Sequence, residues 1–278
     1  MSKRHAIDGL LNGHHYRCLT KDEMYYLVWQ RPTSTVNGVQ NARWCNAYVN
    51  SVRGFLLLPD NFSLPNGISM TNINVNKMSS PTNNYTISQW ETLQDAGCRF
   101  FAAAGVVYPT SNHQYTMGNE MVCVWLSTIS QSPSVDVFMC RPNRFEILGY
   151  GDRMNRLPVR LFDTDGFGFS ISPTQQVDIT RGHLQYYPAD NLWRIAPNAY
   201  DYIGSTNRNY IDAQYAGWLD LFSYASSGWS GGIINYAPAG VWSSQNSDYY
   251  IGGDASQPML DNYARCDWGI FNNEIISQ

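Results

Sequence analysis

Charge is what this sequence has least of. Across 278 residues only 14% are Asp, Glu, Lys or Arg, against about 25% in an ordinary soluble domain, and the net charge is −4. No lysine- and arginine-rich stretch is dense enough to neutralise a run of phosphates, so a nucleic-acid partner is not expected. No apolar run approaches the roughly 20 residues of a membrane-spanning helix, so no membrane insertion is expected. The N-terminal MSKRHAIDGLLNGHHYR is charged and lacks the apolar core of a secretory signal, which implies a chain not exported by that route or one already processed. Cys18, Cys45, Cys98, Cys123, Cys140 and Cys266 include no CxxC pair and have no histidine cluster beside them. A cysteine zinc site is therefore not expected. His14 and His15 are adjacent but have no sequence-neighbouring carboxylate, so no metal and no cofactor is expected. Phosphate-cradling GxGxxG and GxxxxGK[ST] loops are missing. No Ser/His/Asp set and no pair of carboxylates stands out. The expectation is that this is not an enzyme.

Aromatic and small polar residues are plentiful instead. Tyr occurs 19 times and Trp 9 times, among loops rich in Asn, Ser and Gly. Such residues make adaptable binding surfaces. They also make ordinary loop-rich domains, and both readings stay open here. A chain of this length forms one elaborated domain or two small ones and buries a core without disulfides. Cys98, Cys123 and Cys140 lie in apolar runs, where free thiols pack as small hydrophobes. Disulfide pairing stays open.

Residues 118–162 organise the rest. Three apolar runs, 121–126, 135–139 and 157–162, separated by turn residues, predict consecutive antiparallel strands of a central sheet. Pro158 implies an edge or a break in the third. Thr20 and Glu23 form a capping box, predicting a helix to about Gln30 that stops before Pro32. Ser88 and Glu91 repeat the pattern ahead of a helix over 89–96, with Gly97 as its stop. Two strands around a turn near 50–54, a buried strand over 98–107, and a β-meander over 169–202 with a hairpin closed near 188–191 complete the pattern. The Asn- and Ser-rich stretch 61–85 reads as a long functional loop. Asp163 and Asp165 suggest a calcium loop, but the later ligands of that motif are missing and a turn is expected.

Several motifs occur together in consistent spacing: RCLTKDEMYYLV, ARWCNAYVNSVRGFLLLPDNF, ISQWETLQDAGCRFFAAAG, VWLST and RLPVRLF, then FGFSISPTQQVDITRGHLQYYPADNLWRIAPNAYDYIG, YAGWLDLFSYASSG and CDWGIFNN. Over most of the chain they resemble a family of secreted or surface-attached gut Bacteroidetes proteins with a C-type-lectin-like fold. Formylglycine-generating enzymes and the variable proteins of diversity-generating retroelements share that fold. The resemblance implies an α+β fold: a twisted antiparallel sheet with two helices and long loops. The order is exchanged, because the family places the GHLQYYP to CDWGIFNN half first. The chain therefore resembles a circular permutation within one domain of residues 1–278: a helix-containing half (1–162), a joining segment (163–168) and a β-meander half (169–278). Close termini permit this. Completion by a neighbouring copy, or a tandem array cut out of phase, are the alternatives.

The resemblance also bears on chemistry. Cys123 and Cys140 fall near the copper-holding cysteines of the formylglycine-generating relatives, but the surrounding motif differs. Arg141-Pro142-Asn143 keeps the Pro-Asn of calcium-dependent lectin loops and replaces their acidic ligand, and a WND-type strand is absent. Calcium-free contact through aromatic faces remains. The retroelement-diversified relatives bind after the element resembling VWLST. By that analogy Gln131, Ser132, Asp136, Arg141, Asn143, Arg144, Tyr150, Asp152, Arg153 and Asn155 are the candidate exposed ligand contacts, on a face made by residues 127–134, 141–153 and 235–250. In the alternative reading, alternate members face the core and Arg160 is a buried structural arginine. The implied function is a non-catalytic recognition or adhesion module for a glycan or surface protein, extracellular, on a cell surface or on a virion. An oligomer is compatible with this. A carbohydrate- or protein-modifying enzyme and a structural spacer are the alternatives. Converging carboxylates in a deep pocket would mark the enzyme, and a shallow aromatic face the binder.

Overall fold

Local chemistry sets the first elements. The computed structural model describes residues 14–75, 82–108, 115–128, 134–141, 145–152, 155–187, 192–205 and 217–223. Strand β1 (Tyr16–Arg17) leads to helix α1 (Lys21–Tyr25), which continues as a π-helical turn, Tyr26–Gln30. The Thr20 side chain accepts from the Glu23 amide and the Glu23 carboxylate accepts from the Thr20 amide, the expected capping box. Strands β2 (Trp44–Val49) and β3 (Val52–Leu57) form a two-residue hairpin. Asn50 and Ser51 both have positive φ, as a right-twisted hairpin turn of this length requires. Gly54 is not part of that turn. It lies within β3, where a Cβ would stand 2.3 Å from the Phe100 ring and 2.3 Å from the Phe101 carbonyl oxygen, so the adjacent strand approaches only because the side chain is missing.

Residues 61–75 and 82–85 are not a free loop. Phe62, Met70 and Ile73 are buried in the core beneath β2. The Asn83 side chain ties the Asn46 and Thr71 carbonyls together. The stretch ends in β4 (Asn83–Tyr85), parallel to β2. Among the described residues, six of the eight non-glycine residues with positive φ are asparagines, namely 37, 41, 50, 72, 74 and 119. These six serve left-handed turns, which Asn tolerates, and in these stretches the plain loop-rich reading of the composition holds. Helix α2 (Ile87–Asp95) starts two residues before the expected point, because Thr86 and Gln89 form its capping box, not Ser88 and Glu91. Gly97 stops it with φ +93°. The run over 98–107 divides into β5 (Arg99–Ala102) beside β3 and β6 (Val106–Val107) in another sheet, beside β7 (Tyr115–Thr116).

The central sheet is made by β8 (Val122–Trp125), β9 (Ser134–Cys140) and β10 (Phe145–Asp152), all antiparallel. The first two are as expected; the third is not. Gly149 and Gly151, read as turn residues, lie in β10, where the register shifts between Leu148 and Gly151, a bulge of the kind glycine marks. Residues 157–162 are divided by Pro158 between β11 (Arg156–Leu157) and β12 (Phe162–Asp163), in different sheets. Strands β13 (Phe169–Ser170), β14 (Gln176–Ile179), β15 (Leu184–Tyr187) and β16 (Leu192–Ile195) follow, the last two as the expected hairpin, and β17 (Phe222–Ser223) pairs with β11. The turn and loops expected over residues 188–191, 213–216 and 224–278 lie outside the described residues. Among the described residues the fold is mixed and sheet-rich with two short α-helices, as α+β implies. Among the described residues no helix is long and apolar enough to cross a membrane.

Period-two alternation places the core on both faces of the central sheet. Val122, Val124, Phe138 and Cys140 face one side, with Leu27, Phe55, Phe101, Phe162, Phe169 and Ile179. Cys123, Trp125, Val135, Val137 and Met139 face the other, with Leu184, Trp193, Leu219 and Phe222. Both cores draw on residues before and after the 163–168 segment.

Arg160 and His183 are buried near each other. Arg160 is 1% exposed and stacks on Phe101 at 4.6 Å, the structural arginine of the alternative reading. Burial, and then the nearby Arg99, pull its pKa down to about 9. His183 is also buried, with neither ring nitrogen hydrogen-bonded. Burial first, and Arg160 second, hold its pKa well below the ordinary value. A histidine depressed in the folded state contributes stability that is present above its unfolded pKa of about 6.5 and lost as pH falls below it. Wild type should therefore lose folding stability relative to His183→Gln between pH 7.5 and pH ~5, by up to about tenfold in the folding constant per pH unit. Urea midpoints at both pH values read this out. Parallel pH profiles for the two proteins would show that His183 does not titrate on unfolding.

Candidate functional site

The sheet register decides where the expected contacts lie. Trp125 pairs with Val137, Ser134 with Asp152, and Phe145 with Cys140. The C-terminal ends of β8 and β10 and the start of β9 therefore share one end of the sheet, with Asp152. The link from Cys140 to Phe145, with Arg141, is at the other end. Seven residues of β9 separate these ends by about 20 Å, which sets Arg141 apart from Asp152. Tyr150 and Asp152 lie on β10, and Asn155 is half-buried just beyond it. Arg141 is half-buried, with its Nε 3.5 Å from the Glu146 carboxylate. Gln131, Ser132, Asn143, Arg144 and Arg153 lie outside the described residues.

Asp136 is a correction. It is fully buried, with Lys21 Nζ 4.0 Å from its carboxylate, and so is not an exposed contact. The start of the expected face is also occupied. Ser127 is buried, its amide donates to the Leu19 carbonyl, and Thr128 Oγ1 accepts from the Lys21 amide at 2.8 Å. Helix α1 docks where a ligand was expected. Asp220, read as a structural carboxylate, is fully buried and accepts from the Ile203 amide at 2.7 Å. Asp267 lies outside the described residues.

Among the described residues the cysteines are core side chains. Cys45, Cys98, Cys123 and Cys140 are buried free thiols, and Cys18 is buried too. Cys123 and Cys140 are on adjacent strands but face opposite cores. Burial pushes the Cys45 and Cys123 thiols up to about 12, far from nucleophilic character at neutral pH. Cys266 lies outside the described residues.

An exposed polar assembly exists elsewhere, on the joining segment. Strand β1 pairs with β12, Tyr16 opposite Asp163, and the Thr164 amide extends the ladder to the His15 carbonyl at 2.9 Å. This register carries His14 and His15 to the two aspartates. His14 Nδ1 is 2.7 Å from Asp163 Oδ2, and His15 Nδ1 is 2.8 Å from Asp165 Oδ2. The His15 hydrogen bond holds the exposed Asp165 carboxyl below its usual range. The carboxylates missing beside His14 and His15 in the sequence are thus supplied from about 150 residues away. The turn expected at 163–168 is present, with the Asp165 amide bonded to Asp163 Oδ1 at 3.0 Å.

Beside this assembly, residues 164–167, Ser170 and residues 173–176 line an open cleft of about 530 Å³. Phe167, at its edge, is 79% exposed. Protein-family models, curated proteins and solved structures give no match to this chain. The cleft thus stands on its geometry: a bare aromatic ring with Asp165, Thr174 and Gln175 around it. Sequence reading treated residues 163–168 as a linker and passed over Phe167. The available signal was a large apolar residue isolated between Gly166 and Gly168, with no periodic partner to bury it.

Proposed function

We propose that this chain is a non-catalytic recognition module of a cell surface or virion, built on a C-type-lectin-like scaffold in circularly permuted order, and that its ligand is a glycan. The cleft at 164–176 carries this reading. An exposed ring offers a flat apolar face to a sugar ring, and the carboxylate, hydroxyl and amide groups around it match sugar hydroxyls. The permuted order draws support from the joining segment, which runs from β12 to β13 with both strands paired to β14.

A glycan array probed with the purified chain tests this. A hit should weaken by about tenfold or more in Phe167→Ala, and less in Gln175→Ala, with the fold intact because Phe167 is exposed. Binding that survives Phe167→Ala but is lost in Arg141→Ala would move the site to the end of the central sheet. A blank array from folded protein would reject a glycan ligand.

A further inference from the structure

We propose that His14, Asp163 and Asp165 form a binding site for a first-row divalent cation, zinc in first place. One ligand atom from each of the three lies within 4.8 Å of the other two. Around a four-coordinate zinc, bond lengths of about 2.0–2.2 Å place ligand atoms roughly 3.3–3.5 Å apart, so the widest gap closes by up to about 1.5 Å. His14 Nδ1 and Asp163 Oδ2, 2.7 Å apart, open by roughly 0.7 Å to admit the ion. A cation would take the place of the proton they share.

The donor set selects the class. One imidazole nitrogen and two carboxylate oxygens suit zinc, manganese or cobalt, whereas calcium prefers a cage of oxygens alone. The surroundings hold the ligands in place. Asp163 is on a strand and 8% exposed, and its Oδ1 is fixed by the Asp165 amide. Asp165 Oδ2 accepts from the His15 amide at 3.1 Å and contacts the His15 ring. This is the outer hydrogen bonding that orients metal ligands. Three protein ligands leave a coordination position open, and Asp165 also lines the cleft. The cation is thus placed where a ligand oxygen could reach it. That use of the open position rests on the recognition reading; the cation site itself does not.

The experiment is calorimetric titration of zinc chloride into chelator-treated, tag-free protein, with no glycan present. The expected result is one zinc per chain. His14→Ala and Asp165→Asn should each lose at least about tenfold in affinity, and His15→Ala less, since an outer partner costs about 10–100-fold at most. Both main variants alter half-exposed side chains, so circular dichroism should show an unchanged fold. Cobalt substitution should give no thiolate charge-transfer band. No zinc uptake, uptake unchanged in His14→Ala, or a thiolate band would each overturn the site. A glycan result of either sign leaves this readout unaffected, so the two proposals fail separately.

Discussion

Asp60→Ala is expected to destabilise the fold by about 3–5 kcal/mol, the usual cost of removing one partner from a buried ion pair. Its partner, Arg31, is fully buried and bonded to Asp60 Oδ1 and to the Leu27 and Leu58 carbonyls. Burial draws the guanidinium pKa down to about 10, while Asp60 works against the shift. Arg31 therefore stays charged at neutral pH, and truncating Asp60 leaves a cation in the core without its counter-charge. The other carboxylate oxygen spans the two halves of the chain: Asp60 Oδ2 accepts from the Ser170 amide at 2.9 Å and from Gln176 Nε2 at 3.2 Å. The same substitution should thus loosen β13 and β14 from the helix-containing half. Urea unfolding gives the measurement, with hydrogen exchange at 169–179 as the local probe. A loss below about 1 kcal/mol would mean that water replaces the carboxylate, and that the pair is worth no more than a surface one.

Trp125→Ala should cost a similar amount, about 3–5 kcal/mol, as large-to-small changes at buried aromatics do. Trp125 is 1% exposed on β8, and its indole N–H donates to the Phe222 carbonyl at 2.8 Å. Phe222 in turn packs on Trp193 with ring centroids 5.7 Å apart. One side chain thus fastens residues 217–223 to the central sheet from 97 positions away. Trp125→Phe separates the contributions. It keeps most of the volume and removes the donor, and its cost should be nearer 1 kcal/mol. Equal losses for the two variants would assign the effect to the hydrogen bond and not to packing.

Some of this was legible in the residues. Thr20 with Glu23, Gly97 after α2, and Asn50 before a β-prone run act over three or four positions. Their dihedral preferences and i to i+3 hydrogen bonds are properties of the local chain, so they read correctly. Burial of the thiols followed from apolar neighbours. Errors arose where two local solutions compete. Thr86 with Gln89 and Ser88 with Glu91 both spell a cap, and packing of Trp90 and Leu93 into the core beneath β2 fits the earlier start. The run 157–162 looked like one strand because apolar alternation does not say that Pro158 hands the chain from one sheet to another.

The candidate site was least legible. Asp136 lies in a run that alternation marks as strand, but alternation cannot say that both faces of a sheet are covered. Both are covered here, so even the polar position is buried. His14, His15, Asp163 and Asp165 were each visible as residues and each set aside for lack of partners. The sequence by itself determined the start of α1, the hairpin turn and the apolar runs that become β8 and β9, since those depend on near neighbours. Only the tertiary structure decided which strands pair, that Tyr16 faces Asp163, and that Phe167 stays outside while Phe169 goes in. Side-chain period along a strand says which residues share a face, but nothing about which distant strand supplies the partner. That choice comes from closing the cores on both sides of the sheet at once.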